Sequence, residues 1–332
     1  MSAPTLRWGQ LSKALIIEAL LGADPSTPER WQAVASRDAA RARAYADEKE
    51  IARSHGSYEA LLADPLVDAV YIGLPNALHA PWALKALEAG KHVLVEKPFS
   101  RHPDEVAACF DVAEARGLVL SEAFMWRHHP QALRARALIE EGAIGELRSL
   151  HSSFSFPLDD ADDVRWQGEL AGGALMDLGC YCVSGCRTLA GAEPERVHGE
   201  SVWTRPPRDG GVDASFAATL RFPGDVLATI DCSFAAVKRH VLLATGSTGQ
   251  LRLDDPWHAA RPVIALMDAD GAVTEHECPS PLTHYALELD DVEAAVASGQ
   301  PPRLGRTDAL AQARLLDALY RSAATDEGVA VA

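Results

Sequence analysis

Val67-Asp68-Ala69-Val70-Tyr71-Ile72-Gly73-Leu74-Pro75-Asn76-Ala77-Leu78-His79 decides how the chain folds. Residues 67–72 form a nearly continuous apolar run, the pattern of a strand buried on both faces of a parallel sheet. The run ends in a Pro-Asn loop, so the loop lies at the strand's carboxyl end. The same rhythm repeats on both sides. Residues 6–11, 31–35, 91–95 and 118–121 also read as strands. Residues 14–21, 38–49, 57–62, 80–89 and 103–115 read as the helices between them. Ser57 stands where a helix N-cap is wanted, and Gly90 and Gly117 stand where helices close. Strand and helix alternating this regularly predict an α/β fold with a doubly wound parallel sheet.

After residue 123 the rhythm changes. Residues 131–141 and 174–190 have helical character. Strand-like runs follow at 147–156, 197–204, 215–222, 226–234 and 238–244, joined by turns such as Pro223-Gly224-Asp225. The tail returns to helix at 285–298 and 307–323. This half reads as an antiparallel sheet with a few helices. The predicted division is 1–123 and 124–332, in keeping with the two or so domains that 332 residues suggest.

Composition narrows the function. With 31 Lys and Arg against 47 Asp and Glu, the net charge is −16, and such a surface repels nucleic-acid backbones and anionic membranes. No run approaches the roughly 20 apolar residues of a membrane helix. Residues 1–8 lack a charged-then-apolar signal pattern, so the expected location is the cytoplasm. Cys180, Cys182 and Cys186 cluster without a C-x-x-C pair. They read as packing residues in a reducing compartment, not as metal ligands. His128-His129 lacks a third ligand at helical spacing and reads as a packed or hydrogen-bonded loop. No metal site is expected. The acidic run at 159–163 reads as a solvated loop.

Ligands of a doubly wound sheet sit beyond the carboxyl ends of its strands, and four segments lie there. After the first strand, a dinucleotide fingerprint wants glycine at 12, 14 and 17; the chain has Ser12, Ala14 and Ile17. Small residues still let the backbone approach a pyrophosphate at a helix N-terminus, and Ser12 and Lys13 add a hydroxyl and a charge. An ordinary strand–helix turn accounts for the same residues. After the second strand, Ser36-Arg37 replaces the carboxylate that holds an NAD ribose. The pair suits the 2′-phosphate of NADP, although Ser36 or Asp38 also reads as a helix cap. The third segment is the loop Leu74-Pro75-Asn76-Ala77-Leu78-His79. The fourth is Glu96-Lys97-Pro98, which presents Lys97 as an acid/base or relay group unless it is a plain surface turn. Farther along, Asp177 and Tyr181 stand four apart on a predicted helix. They read either as a carboxylate–phenol pair for moving a substrate proton or as a core Tyr satisfied by the Asp.

Taken together these segments resemble the family of glucose-fructose oxidoreductase and inositol dehydrogenase. The marks are Glu96-Lys97-Pro98, Pro75-Asn76-x-x-His79, Ser121-Glu122-Ala123-Phe124-Met125-Trp126, and Gly172-Gly173-Ala174-Leu175-Met176-Asp177-Leu178-Gly179-Cys180-Tyr181. The Asp-x-x-x-Tyr ending is similar to the branch of NADP-dependent D-xylose dehydrogenases, dimeric dihydrodiol dehydrogenases and sugar ketoreductases. The resemblance implies a Rossmann domain for cofactor and a second, α/β domain with a large open, mostly antiparallel sheet for substrate and dimerisation. It implies hydride transfer between nicotinamide and a sugar or polyol-like alcohol, in a homodimer or higher homo-oligomer. Lys97 would lie by the nicotinamide and lower the pKa of Tyr181, the acid/base group. Asp177 would orient substrate or tune Tyr181. Glu96 and the Pro75–His79 loop, Leu74 included, would contact cofactor. Trp126, Arg165 and Trp166 would line the substrate pocket. Family members often have a cis bond where this chain has Lys97-Pro98. The family also includes a regulator that binds dinucleotide without turnover, and the presence of both Lys97 and Tyr181 argues for an enzyme instead.

Overall fold

The computed structural model describes residues 6–23 and 30–331; residues 1–5 of the stretch read for a signal pattern lie outside the described residues. The first unit holds a parallel sheet of β1 (Trp8–Leu11), β2 (Trp31–Ala35), β3 (Arg53–His55), β4 (Ala69–Ile72), β5 (His92–Glu96) and β6 (Leu120–Ala123). Their order is β3-β2-β1-β4-β5-β6, so the strand order reverses between β1 and β4. This is the doubly wound Rossmann arrangement, whose ligand crevice lies at that reversal. The connecting helices are α1 (Leu15–Ala23), α2 (Ala39–Glu48), α3 (Tyr58–Leu62), α4 (His79–Glu88) and α5 (Pro103–Arg116).

Local chemistry sets these ends. Asp38 caps α2 by accepting from Arg41 N, and Ser57 caps α3 by accepting from Ala60 N. Gly117 closes α5 in the left-handed conformation, φ 64°. All four residues of β4 are buried, as its apolar run requires.

The second unit carries β7 (Leu147–Ser155), β8 (Arg196–Trp203), β9 (Asp213–Phe222), β10 (Val226–Ser233), β11 (Arg239–Gly246), β12 (Gly249–Asp254), β13 (Val263–Asp268), β14 (Val273–Glu277) and β15 (Val329–Ala330). They form one nine-stranded sheet in the order β14-β13-β12-β11-β7-β10-β9-β8-β15. Only the β10–β7 pairing is parallel. α6 (Pro130–Glu140) and α7 (Cys180–Ala190) also belong to this unit. Alternate residues of β9 and β10 are buried, as expected of a sheet with one covered face.

Two expectations need correction. The stretch 174–190 is not one α-helix: Leu175–Gly179 forms a π-helical turn that runs into α7. The chain after residue 124 does not all belong to the second unit. The compact units are Met1–Phe124 with Leu282–Leu310, and Met125–Pro281 with Ala311–Ala332. The cause is α8 (His284–Ser298), whose Leu289 and Val292 fill a core cluster with Trp8, Trp31 and Tyr71. Polar contacts fix it there: Trp8 Nε1 donates to Glu293 (2.9 Å) and Arg30 pairs with Asp290 (2.7 Å). α9 (Arg306–Thr325) begins in the first unit and continues in the second. No helix among the described residues is long and apolar enough to cross a membrane.

Candidate active site

The carboxyl edge of the first unit's sheet is built from four strand ends. At the end of β1, Ser12 takes φ +89°, the left-handed backbone that a fingerprint glycine normally supplies. Its own contacts hold it there. Ser12 Oγ donates to Gly73 O (2.7 Å) and accepts from Ala14 N (3.3 Å), while Ser12 N donates to Ala35 O (3.0 Å). The hydroxyl thus ties the turn to the end of β4, a job that glycine cannot do. Lys13 is exposed and Ala14 half-buried at the start of α1. At the end of β2, Ser36 N donates to His55 O (3.1 Å), and Arg37 is exposed.

The ends of β4 and β5 are tied together by His79. It is buried to 1% exposure, with Nδ1 2.8 Å from Pro98 O and Nε2 2.7 Å from Leu74 O. Burial, with the charge of Lys97 adding to it, pushes the imidazole down to about 4. At neutral pH the ring is therefore uncharged and donates to one of the two carbonyls. Its structural part is that of a strut between the Leu74-Pro75-Asn76 loop and the Glu96-Lys97-Pro98 turn. Asn76 opens a short 3-10 turn, Asn76–Leu78, that leads into α4.

That turn is pinned from several sides. The Lys97–Pro98 bond is cis. Glu96, 8% exposed, accepts from Tyr71 Oη and from Lys97 N, the latter at 3.1 Å. Phe99 N donates to Glu122 Oε1 (2.8 Å). Burial, with Glu96 beside them, raises the Tyr71 phenol and the Glu288 carboxyl well above their ordinary ranges. Lys97 itself is half-buried at the tip.

In the second unit, the stretch Gly172-Gly173-Ala174-Leu175 is held by close backbone approach. A Cβ on Gly172 would lie 2.3 Å from Arg165 O, and one on Gly173, at φ +118°, 2.2 Å from Asp213 Oδ1. Asp213 accepts from Leu175 N (2.6 Å) and Tyr320 Oη (2.9 Å), so it anchors the start of the π-turn. Single-turn π insertions are frequent at functional sites. Asp177 lies on this turn and pairs with Arg165 Nη1 at 3.5 Å. Arg165 also forms a two-pronged pair with Asp163 (2.9 Å on each arm) and lies over the Phe156 ring. Burial opposes its charge, but hydrogen bonding to Asp163 and the charge of Asp177 raise its pKa. Asp163 therefore departs from the expected solvated loop, whereas Asp159, Asp160 and Asp162 are exposed.

Tyr181, one residue into α7, is 6% exposed, and its hydroxyl lies 3.4 Å from the Met125 thioether. Its ring is walled by Phe154 (5.6 Å) and Trp257 (5.6 Å). Trp126, 1% exposed, packs edge-on against Trp257 (5.2 Å), and Trp166 packs against Phe234 (5.2 Å). The sequence reading missed Phe154, Trp257 and Asp213. They lie on β7, after β12 and on β9, and no local motif marks them. His129 caps α6, with Nδ1 accepting from Gln131 N (3.1 Å). All six cysteines are free and buried.

The fold and these two sets of residues define a two-domain oxidoreductase built on a dinucleotide-binding Rossmann sheet. Residues 12–124 match the oxidoreductase family with an NAD-binding Rossmann fold, and residues 132–252 match the GFO/IDH/MocA C-terminal domain. The chain belongs to this family. It is 40% identical over 319 residues to D-xylose 1-dehydrogenase (NADP(+)) 2 of Haloferax volcanii, covering 94% of this chain and 95% of that one. It is 35% identical over 256 residues to a trans-1,2-dihydrobenzene-1,2-diol dehydrogenase of Macaca fascicularis, covering 76% and 75%. Among solved structures, a 3-ketoreductase of Actinomadura kijaniata with NADP and TDP-benzene superposes with a TM-score of 0.87 at 34% identity, covering 96% and 97%.

Proposed function

We propose that this chain is an NADP-dependent dehydrogenase or reductase that interconverts the carbinol and carbonyl forms of a sugar or polyol-like substrate. The Glu96-Lys97-Pro98 turn carries this reading. Tyr71, His79, Glu96 and Glu122 fix the strand end, and it presents a half-buried Lys97 at the edge where the fold family binds its cofactor. A surface turn with no function gains nothing from a buried carboxylate and a buried imidazole.

The residues present fit a dinucleotide. The left-handed Ser12 turn and the small Ala14 open the N-terminus of α1 to a pyrophosphate, with Lys13 beside it. Ser36 and Arg37 suit the 2′-phosphate of NADP, because a guanidinium grips phosphate in a two-pronged way. The Leu74-Pro75-Asn76 backbone and Glu96 border the same edge, and His79 sets their spacing. Bound there, the nicotinamide supplies or accepts the hydride.

The protein's own groups handle the proton. Tyr181 Oη is the acid/base, taking the proton of the substrate hydroxyl in oxidation and returning it in reduction. Lys97 contributes the positive charge that favours the phenolate. Asp177, steadied by Arg165, binds a substrate hydroxyl. Half-buried Trp166 walls an apolar face of the ring that carries it; Trp126, buried against Trp257, lies behind the site and does not line the pocket as the sequence suggests. The free, buried thiols suit the cytoplasm. Leu227 (54% exposed) and Val202 (65%) lie on strands of the large sheet and favour a homodimer, the assembly the resemblance implies.

The test is NADPH oxidation and NADP reduction against a panel of ketoses, aldoses and diols. Turnover of at least one panel member is expected. NADPH binding with no turnover across the panel would favour the regulatory reading. In calorimetric titration, Arg37→Ala should weaken NADPH at least tenfold more than NADH; equal losses would remove the 2′-phosphate role.

A further inference from the structure

A second chemical cluster lies in the second unit, where the sequence reading expected no metal. His240 is the second residue of β11, and Asp255 follows β12. The pairing of Val241 with Asp254 sets the next two residues side by side, and Asp255 N donates to His240 O at 3.2 Å. His258 follows three residues later, on a turn closed by Ala259 N donating to Asp255 O (3.1 Å). Asp255 holds φ +57°, which turns its carboxylate between the two imidazoles. His240 Nδ1 lies 2.7 Å and His258 Nδ1 3.1 Å from the same oxygen, Asp255 Oδ1. One donor atom of each residue lies within 4.8 Å of the others. Burial works against the Asp255 charge, but hydrogen bonds from His240 and His258 hold its carboxyl far below the ordinary range.

We propose that His240, Asp255 and His258 form a binding site for a divalent transition-metal ion of the zinc class. Two imidazoles and one carboxylate are the donor set such ions prefer, with a further position left to solvent. Bonds of about 2.0–2.2 Å place tetrahedral donors roughly 3.3 Å apart. To reach that spacing His240 Nδ1 and His258 Nδ1 need to part from Asp255 Oδ1 by about 0.6 and 0.2 Å, with both Nδ1 atoms giving up their protons. The burial gradient gives an entry path. The His240 side chain is 6% exposed, Asp255 26% and His258 47%, so an ion arriving from solvent meets His258 first.

The site bears on the aromatic wall behind Tyr181. The His240 ring packs on Phe154 at 4.5 Å and the His258 ring at 6.0 Å. Trp257 lies between two of the ligands in sequence and is fully buried. A bound ion ties β11 to the turn that carries Trp257, fixing Phe154 and Trp257 together. The role is structural, and no step of the hydride transfer needs it.

The test uses the full chain, stripped with chelator and free of any affinity tag. Zn²⁺ is titrated by calorimetry, and Co²⁺ is followed by its visible d–d absorption. The expected result is one equivalent bound, a Co²⁺ spectrum of low-symmetry nitrogen–oxygen coordination, and a rise in melting temperature with Zn²⁺. His258→Ala, at the exposed ligand, and Asp255→Asn should keep the native circular dichroism and lose affinity about tenfold or more, with the Co²⁺ bands gone. Two outcomes overturn the proposal. Failure of the wild-type chain to bind one equivalent makes the cluster a hydrogen-bonded strut only. Binding that survives both substitutions unchanged places the ion elsewhere.

Discussion

Lys97 and Tyr181 are held by opposite means. The Lys97 turn is a polar construction: a carboxylate, a phenol, an imidazole and main-chain groups fix Glu96-Lys97-Pro98 through hydrogen bonds. Tyr181 is held by packing, with Phe154 and Trp257 against its ring and a thioether at its hydroxyl. A polar frame fixes direction, because hydrogen bonds weaken steeply with angle. An aromatic wall fixes volume and excludes water, and that strengthens electrostatic effects on a phenol's proton. The two settings should therefore fail differently when damaged.

The largest effect is expected at the two residues proposed for the chemistry. Tyr181→Phe and Lys97→Ala should each cut turnover by about 10³, within the range a positioned acid/base contributes, while NADPH affinity in titration stays near wild type. Near-wild-type rates in either variant would dissolve the comparison. Next comes the packed wall. Phe154→Ala deletes a ring that is 4% exposed. It should cost about 3–5 kcal/mol of stability in urea denaturation, as large-to-small aromatic changes in cores do. A cost below about 1 kcal/mol would show that the wall is not a packed unit.

The polar frame should show itself through pH. His79 sits at about 4 when folded, below the ordinary imidazole value of 6.5. Between those values the unfolded chain binds a proton that the folded chain refuses, so stability falls as pH drops through this window. The contribution approaches about 3 kcal/mol at pH 4. His79→Asn should remove that part of the stability difference between pH 7 and pH 4. An unchanged pH profile would take the strut role from His79. The smallest effect is expected for Tyr71→Phe. It leaves Glu96 short of one donor at a cost of about 1–3 kcal/mol, with a matching rise in KM for NADPH as the Lys97 turn loosens.

Much of the first unit was legible because its signals are local. The unbroken apolar run of β4, the Ser57 cap and Gly117 each state their structure within a few residues. The β1 turn was harder to read. The left-handed residue is a serine whose hydroxyl secures a conformation that sequence reading assigns to glycine. Strands β12, β13 and β14 were missed, because their pairing is decided by neighbours in space. The π-turn at Leu175–Gly179 has no local breaker; its anchor is Asp213, on a different strand. In the candidate site, Lys97 and Tyr181 stood in readable motifs, but the aromatic wall came together only through folding.

The return of residues 282–310 to the first unit has a consequence for biosynthesis. A ribosome releases β1 to β6 well before it releases α8. During that interval Trp8 Nε1 and Arg30 lack the acceptors Glu293 and Asp290, and the core lacks Leu289 and Val292. The nascent Rossmann sheet must wait, incomplete, while nearly the whole of the other unit is made. Its closure belongs to the last stage of translation, and a ribosome stalled before residue 282 would display a chain whose nucleotide-type sheet has an open apolar flank.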